Sequence, residues 1–449
     1  MSLFYKRWFF LLVAVLVLGA NFYAHLFSTL PVTRFLNNEF PSEGFVISRM
    51  VYSETEGLSG SGGFMVRYPF INDLFMAPDK EAYKDFTRRG LDNNDQASIY
   101  LSHLGFQDNF LYPLWQGLRA LRDHVKETSR EGSRWQKRMM HYDAYYMVMV
   151  SQLCVALFNA LVLGLILLWV FRQFSPPAAW VTLGLMLVMM PDLTFFGRSM
   201  WWMMGVWFLP FLIMALLYQI NKGKPLPLPM LIASAFLAGA MLSLKTAMGY
   251  EYTSTIMVSA VTPATFYALL NRWSLKSWLA QCFVIGLFLL GGFGLTMYLH
   301  YEALLAIGQD PLNVLYGSFA MRAHGSGVTH HNNMIAESID AGLLETYARQ
   351  FFHPQGVGLP QVVKMLPLFG WLWIKRKTLK QISREQAALL VCIALGAFGA
   401  LSMYTILKGH AFIHGYDVVA WSIPMNIFLC VFYAREIQAS FQKRQIIFA

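Results

Sequence analysis

The chain has 449 residues, of which 56% are hydrophobic and only 13% charged, with a formal net charge of +10 and a mean hydropathy of +0.43. That balance excludes an ordinary soluble globule and a disordered segment, and it predicts an all-α polytopic membrane protein. The positive excess would suggest nucleic acid in a soluble chain. Here it is read as loop charge that sets topology and attracts anionic lipid, so no nucleic-acid partner is expected.

The first apolar run, residues 8–26, follows Lys6 and Arg7. Leu18, Gly19 and Ala20 supply a cleavage-like site, but the run continues through Phe22, Tyr23 and Ala24, longer than the apolar stretch of a usual leader, so a retained span is expected. A hydrocarbon core of ~30 Å needs ~20 apolar residues as helix. Ten candidate runs, some short or interrupted, begin near Trp8, Tyr145, Ala178, Met200, Leu228, Thr253, Ser277, Gln361, Gln386 and Tyr416. With the N-terminus inside, Arg172, Lys222, Lys224, Arg272, Lys276, Lys375, Arg376, Lys377, Lys380 and Arg384 fall in inner connections, and Arg435, Lys443 and Arg444 in an inner tail. The short outer connections carry only Arg198, Lys245 and Lys408, which predicts an N-in, C-in protein with about ten spans.

The chain divides accordingly into a first span (1–28), a large outer loop (29–143), spans two to seven (144–300), a second outer loop (301–360), and spans eight to ten with a cytoplasmic tail (361–449). The first loop is too apolar for a linker, with Phe45-Val46-Ile47, Phe64-Met65-Val66 and Phe110-Leu111-Tyr112, and is expected to fold. Residues 57–63 are a Gly/Ser turn without the Lys-Ser/Thr of a phosphate loop. Residues 95–121 carry helical periodicity suited to the membrane interface, and a charged stretch follows at 123–138. No internal repeat is evident, which weighs against the inverted-repeat plan of many transporters. Cys154, Cys282, Cys392 and Cys430 all lie in apolar runs, so neither disulfides nor a zinc site is expected.

Five constellations carry potential chemistry. The first is acidic, with Glu39, Glu43, Glu54 and Glu56 interleaved with Arg49 and Tyr52. A carboxylate held there would take a proton from an acceptor hydroxyl while a nearby cation steadies a phosphate; the plain alternative is solvated loop charge. The second is the turn 191–202, where Arg198 either pairs with Asp192 or contacts a phosphate. The third joins Lys245, suited to a phosphate, to Tyr250 and Glu251, suited to a sugar hydroxyl, unless both charges merely snorkel. The fourth holds Lys408, His410, His414 and Asp417 and reads as an anion cradle titrating near neutral pH. His410 and His414 share a face at i, i+4, but no Glu follows the first His and a metal site is not indicated. The fifth, His324 with Gly325, Ser326, His330, His331, Asn332 and Asn333, reads as an exposed loop that serves as a lid.

At these residues the chain resembles the GT-C superfamily of integral-membrane glycosyltransferases, with a first span, a long outer loop bearing early acidic residues, many further spans and basic outer loops near the end. Val46-Ile47-Ser48-Arg49, Glu56-Gly57-Leu58-Ser59, Tyr100-Leu101-Ser102-His103-Leu104-Gly105-Phe106-Gln107, Gly249-Tyr250-Glu251-Tyr252 and the 408–414 segment are similar to bacterial enzymes that modify O-antigen or surface polysaccharide, among them serotype-converting glucosyltransferases. The motifs are short and spread over most of the chain. The resemblance implies a polyprenyl-phosphate sugar donor, a glycan acceptor, an active site on the periplasmic face of the bacterial inner membrane, and an acidic catalytic residue in the first loop. Many GT-C members carry an acidic pair soon after the first span, whereas the glutamates here are separated; Glu43 is favoured, then Glu54 and Glu56. Arg49, Arg198, Lys245, Tyr250, Glu251, Lys408, His410, His414 and Asp417 are the expected donor-phosphate and substrate contacts, with no cofactor. The alternatives are a glycan polymerase or ligase using a diphosphate-linked saccharide, and a transporter or flippase for a lipid-linked anion.

Overall fold

The computed structural model describes residues 3–28, 32–76, 80–128, 144–324, 342–352 and 359–448. Gly325, Ser326, His330, His331, Asn332 and Asn333, and the charged stretch beyond residue 128, lie outside the described residues. In chain order the elements are α1 (Leu3–Ala24), α2 (Val32–Glu56), β1 (Met65–Arg67), α3 (Ile71–Met76), α4 (Lys80–Asp92), β2 (Ser98–Tyr100), α5 (Asp108–Thr128), α6 (Ala144–Gln173), α7 (Pro176–Met189), α8 (Pro191–Phe196) and α9 (Gly205–Ile220). They continue with α10 (Leu228–Met248), α11 (Thr253–Asn271), α12 (Leu275–Ala306), α13 (Pro311–His324), α14 (Leu343–Phe352), α15 (Gln361–Lys375), α16 (Arg384–Ile406), α17 (Lys408–Ile413) and α18 (Met425–Phe448).

Among the described residues six helices are long and apolar enough to cross a bilayer, and a seventh crossing forms if Gly415–Ser422 and Met425–Gln442, bent by 55°, act as one. Three of the ten expected runs instead make helices of only 14, 16 and 15 residues, α7, α9 and α15. At 1.5 Å per residue these reach roughly 21–24 Å, short of a ~30 Å core. Between α7 and α9 the reason is local: Pro191 has no N–H to continue the ladder, and the buried apolar residues Met200 to Met204 follow as turns rather than helix.

Polar contacts between helix termini show which ends lie together. At one end Ser175 Oγ donates to Gln438 (2.9 Å), Tyr267 Oη to Gln173 (2.8 Å) and Asn271 Nδ2 to the Gly223 carbonyl (2.8 Å), while Arg435 pairs with Glu385 (2.6 Å). Serine N-caps start α7, α12 and α16 at this same end, each accepting an otherwise unsatisfied helix N–H. At the other end Asn21 donates to Thr194 (2.7 Å), Gln107 Nε2 to the carbonyls of Trp201 and Met248 (both 2.8 Å), and Tyr252 to Asp417 (2.6 Å).

Small residues let the central helices approach closely. A Cβ on Gly292 of α12 would meet the Gly239 carbonyl of α10 at 2.1 Å, and Ser243 and Thr246 bond Thr296 across the same crossing at 2.9 and 2.8 Å. Without a hydrophobic force between helices in lipid, such close packing and hydroxyl pairing hold the crossing.

Residues 32–76 and 80–128 fold as a layer over the second end. The two strands pair antiparallel, Met65 opposite Tyr100 and Arg67 opposite Ser98. Val46, Met50, Val51 and Tyr68 are fully buried beneath them. Phe106 N donates to the Ala247 carbonyl (3.3 Å), and Gln107 bonds the two carbonyls already named, which fastens this layer to the helix ends. The chain is thus a polytopic helical membrane protein with a folded extramembranous layer at one end.

Candidate functional site

The site forms where α10 ends. Lys245 lies in the last turn of that helix and is buried, its Nζ donating to the carbonyls of Gly249 and Glu251. A cation is favourable there because the last carbonyls of a helix lack partners and carry the negative end of its dipole. Gly249 has φ +154°, and a Cβ there would stand 2.5 Å from Glu251 Oε2, so only glycine lets the chain fold back over this carboxylate. Tyr252 follows at φ +61°, a left-handed conformation that costs a non-glycine residue roughly 1–2 kcal/mol and is held by its hydrogen bond to Asp417.

Glu251 meets Arg322 of α13 at 3.2 Å, with both side chains only 7% exposed. Burial by itself pushes the Glu251 carboxyl up, but the opposing pull of Arg322, then Lys245, His410 and His103, leaves it below the usual carboxylate range. Arg322 answers in kind, since burial lowers it but Glu251 and Tyr100 hold its charge above the ordinary arginine value. Its Nη1 also donates to the Ser318 carbonyl at 3.2 Å.

A second polar chain flanks this pair. Asp417 accepts from Tyr252 Oη at 2.6 Å and meets His410 Nδ1 at 2.8 Å. With Nδ1–H donated to the carboxylate, Nε2 of His410 is left as the proton acceptor. His410 lies in α17, which stops at Ile413, so His414 is its C-cap and the two rings lie 4.3 Å apart with their planes tilted by 52°. Burial, then His410, keeps the His414 imidazole neutral, far below the ordinary histidine range. On the opposite flank Tyr250 Oη is 2.7 Å from His300 Nδ1, and His300 Nε2 is 3.0 Å from the Leu101 carbonyl. Only the Nε2–H tautomer satisfies both contacts, so Tyr250 is the donor to His300.

A cavity of about 340 Å³ opens beside this cluster between α11, α12, α13 and α16. Its walls are mostly apolar, with Met257, Leu290, Phe293, Met297, Phe319 and Met403, and its polar end presents Ser102, Tyr250, Ser318 and Arg322. That volume and that division suit a small-molecule or lipid site.

The structure therefore brings Lys245, Tyr250, Glu251, His410, His414 and Asp417 together. Lys408, half-buried, opens α17 directly after the cavity-lining Leu407. The acidic residues of the first layer lie elsewhere. Glu43 is buried, accepting from Ser199 Oγ (2.6 Å), Trp201 N (3.2 Å) and Gln152 (3.4 Å), and burial raises its carboxyl despite those bonds. Glu54 accepts from Trp115 Nε1 (2.8 Å) and pairs with Arg119, and Glu56 accepts from Asn94 (2.9 Å). None of the three lines the cavity, and neither do Lys245, Glu251, His410, His414 or Asp417, whereas Tyr250, Tyr252 and Arg322 do. Arg49 reaches Asp108 (3.5 Å), Ser61 Oγ (2.9 Å) and the Leu58 carbonyl (2.5 Å), pinning the Gly/Ser turn.

In the second constellation, Arg198 donates to Gln152 and to the Tyr23 carbonyl (2.9 Å), and the partner of Asp192 is not Arg198 but Lys364 of α15 at 3.0 Å, with both side chains fully buried. Sequence spacing suggested the local pair; α15, 172 residues away, supplies the closer cation. Arg322, Ser102, His103 and His300 escaped the sequence reading, although Ser102 and His103 stand in one of the quoted motifs. Among the described residues no group of three or more His, Cys, Asp or Glu is placed to hold a metal ion. No family model, no curated protein and no solved structure matches the chain.

Proposed function

We propose that the protein is a glycosyltransferase that moves a sugar from a polyprenyl-phosphate donor to a surface glycan of the O-antigen kind. The observation that carries this reading is the apolar cavity between four helices that ends on the buried Arg322–Glu251 pair beside Tyr250. A prenyl chain fills the apolar part, and its phosphate meets the guanidinium. Lys245 and Arg322 bring two positive charges to the one carboxylate of Glu251, while Asp417 is taken up by His410 and Tyr252.

In the reaction the acceptor hydroxyl oxygen bonds to the anomeric carbon as the bond from that carbon to the phosphate oxygen breaks. The acceptor proton passes to His410 Nε2, with Asp417 holding the tautomer and steadying the imidazolium. The leaving polyprenyl phosphate gains negative charge, which Arg322 and Lys245 stabilise, and a preorganised charge of this kind is usually the largest catalytic contribution. The acid–base work is thereby assigned to the cluster around the cavity rather than to Glu43, Glu54 or Glu56.

Arg172, Lys222, Lys224, Arg272, Lys276, Lys375 and Arg435 belong to the end opposite this cluster, and the positive-inside rule then turns the site outward, towards the periplasm of a bacterial inner membrane. Purified protein incubated with polyprenyl-phosphate hexoses and glycan acceptors is expected to add the mass of one sugar to the acceptor. His410→Ala should slow this by roughly 10²- to 10⁴-fold. Consumption of no donor, or undiminished transfer by the variant, overturns the reading or the base assignment respectively.

A further inference from the structure

The turn that carries His410 and Asp417 has little to hold it from within. α17 is six residues long, whereas isolated helices below about 12 residues are marginal, and the last carbonyls of any helix lack intrahelical partners. Its C-cap, His414, is extended at φ −98° and ψ 94°, so no left-handed residue closes the helix at that position. On the far side of the turn Tyr252 holds the Asp417 carboxylate and Tyr404 its carbonyl. The 2.8 Å contact between His410 Nδ1 and Asp417 therefore depends on what fixes α17 from outside.

α14 does so through one side chain. Gln350 is fully buried, and its Nε2 donates to the carbonyls of Ala411 (2.5 Å) and His414 (2.9 Å). Both neighbours are acceptors, so the amide nitrogen faces them and its two hydrogens serve one carbonyl each. Ala411 directly follows His410, and the His414 carbonyl also accepts from Asp417 N at 3.1 Å. A residue 61 and 64 positions away thus grips the turn beside both members of the His410–Asp417 pair. α14 is fastened in its turn, for Tyr347 Oη lies 2.6 Å from Thr405 Oγ1 of α16 and the Arg349 guanidinium lies 4.6 Å from the Phe412 ring centre.

Gln350 does not line the cavity and its amide hydrogens are both taken up, so its part is orientation. A proton acceptor must stand within hydrogen-bond reach of the hydroxyl it deprotonates, and a misplacement of about 1 Å costs roughly 10²-fold in rate. We propose that Gln350 is a positioning residue for His410: its amide clamps the turn, sets the imidazole against Asp417 and so directs Nε2 towards the acceptor hydroxyl. This rests on His410 being the proton acceptor of the proposed reaction.

The test is a double-mutant cycle on the full-length protein in nanodiscs, with polyprenyl-phosphate hexose as donor and O-antigen polysaccharide as acceptor. Gln350→Met keeps the length of the side chain and removes both N–H donors. It is expected to lower kcat about 10- to 100-fold, with the donor KM within about twofold of wild type. In the His410→Ala background the same change should cost less than about twofold more, because residues that act as one unit are not additive. Gln350→Asn keeps the amide but withdraws it by one methylene; it should fall between wild type and Gln350→Met, and it takes the place of Gln350→Met in the cycle if that variant does not fold. An undiminished kcat, or the same fold-loss in both backgrounds, overturns the clamp and leaves the sugar-transfer reading standing. A wild type that transfers no sugar overturns that reading, and nitrogen NMR of histidine-labelled protein then decides the clamp alone. His410 is expected as the Nδ1–H tautomer in the wild type and as a mixture of tautomers in Gln350→Asn, and unchanged His410 signals overturn the clamp.

Discussion

Arg322→Leu removes the principal partner of Glu251 and leaves a carboxylate in a site where the pair's side chains are 7% exposed. Breaking a buried pair by deleting one member costs about 3–5 kcal/mol. The lower end applies here, because Lys245 remains close, though its Nζ is engaged by two backbone carbonyls. The loss should depend on pH. In the wild type the Glu251 carboxyl lies below the usual range, so its contribution is complete above the unfolded value and is lost as pH falls through the folded one. In the variant, burial is no longer offset by Arg322 and the carboxyl rises, so the folded state takes up a proton on mild acidification. The difference between the two proteins is therefore greatest at neutral pH and shrinks towards pH ~5. Unfolding in mixed micelles by a graded detergent titration, followed by tryptophan fluorescence at both pH values, reads this directly. Glu251→Gln in the Arg322→Leu background should recover most of the stability. An unchanged midpoint for Arg322→Leu at neutral pH, or a loss independent of pH, refutes the buried-pair reasoning.

Lys364→Met leaves Asp192 charged and fully buried, and should destabilise by about 3–5 kcal/mol in the same titration, whereas Asp192→Leu combined with Lys364→Met should be close to neutral. Gly292→Val places a side chain against the Gly239 carbonyl; folded yield in detergent, read by size-exclusion chromatography, is expected to collapse, while Gly294→Ala, with open space around it, should be silent. Glu54→Gln breaks a pair with the half-exposed Arg119 and weakens the Trp115 bond, so a loss of only about 1 kcal/mol is expected, with sugar transfer unchanged. A large fall in transfer with normal stability would return Glu54 to the reaction.

Hydropathy made the long helices legible, since α6, α10, α11, α12 and α16 each stand out as a continuous apolar run. The ten apolar runs outnumber the six or seven described helices long enough to cross, because composition registers that residues 178–208 are apolar but not that Pro191 breaks them into turns. The third and fourth constellations could be read because charged residues beside apolar helices are conspicuous, and the structure does bring Lys245, Glu251, His410 and Asp417 together. Arg322 was hidden for the opposite reason, being one basic residue among several in a segment that reads as a loop, and nothing local marks its partner as Glu251, 71 residues earlier. The first-layer glutamates are set apart by α2, which runs on as one helix to residue 56 and carries Glu54 and Glu56 away from the bundle end where Glu43 is buried.

The most direct test of the central claim is photo-crosslinking of the full-length protein in nanodiscs with polyprenyl phosphate bearing a diazirine on its prenyl chain, followed by peptide mapping. The account predicts labelling at Met257, Phe293, Met297 and Met403, competed by unlabelled polyprenyl phosphate and reduced by Arg322→Leu. Labelling confined to the outer groove formed by Leu185, Trp371 and Phe432, or labelling indifferent to Arg322, would contradict it.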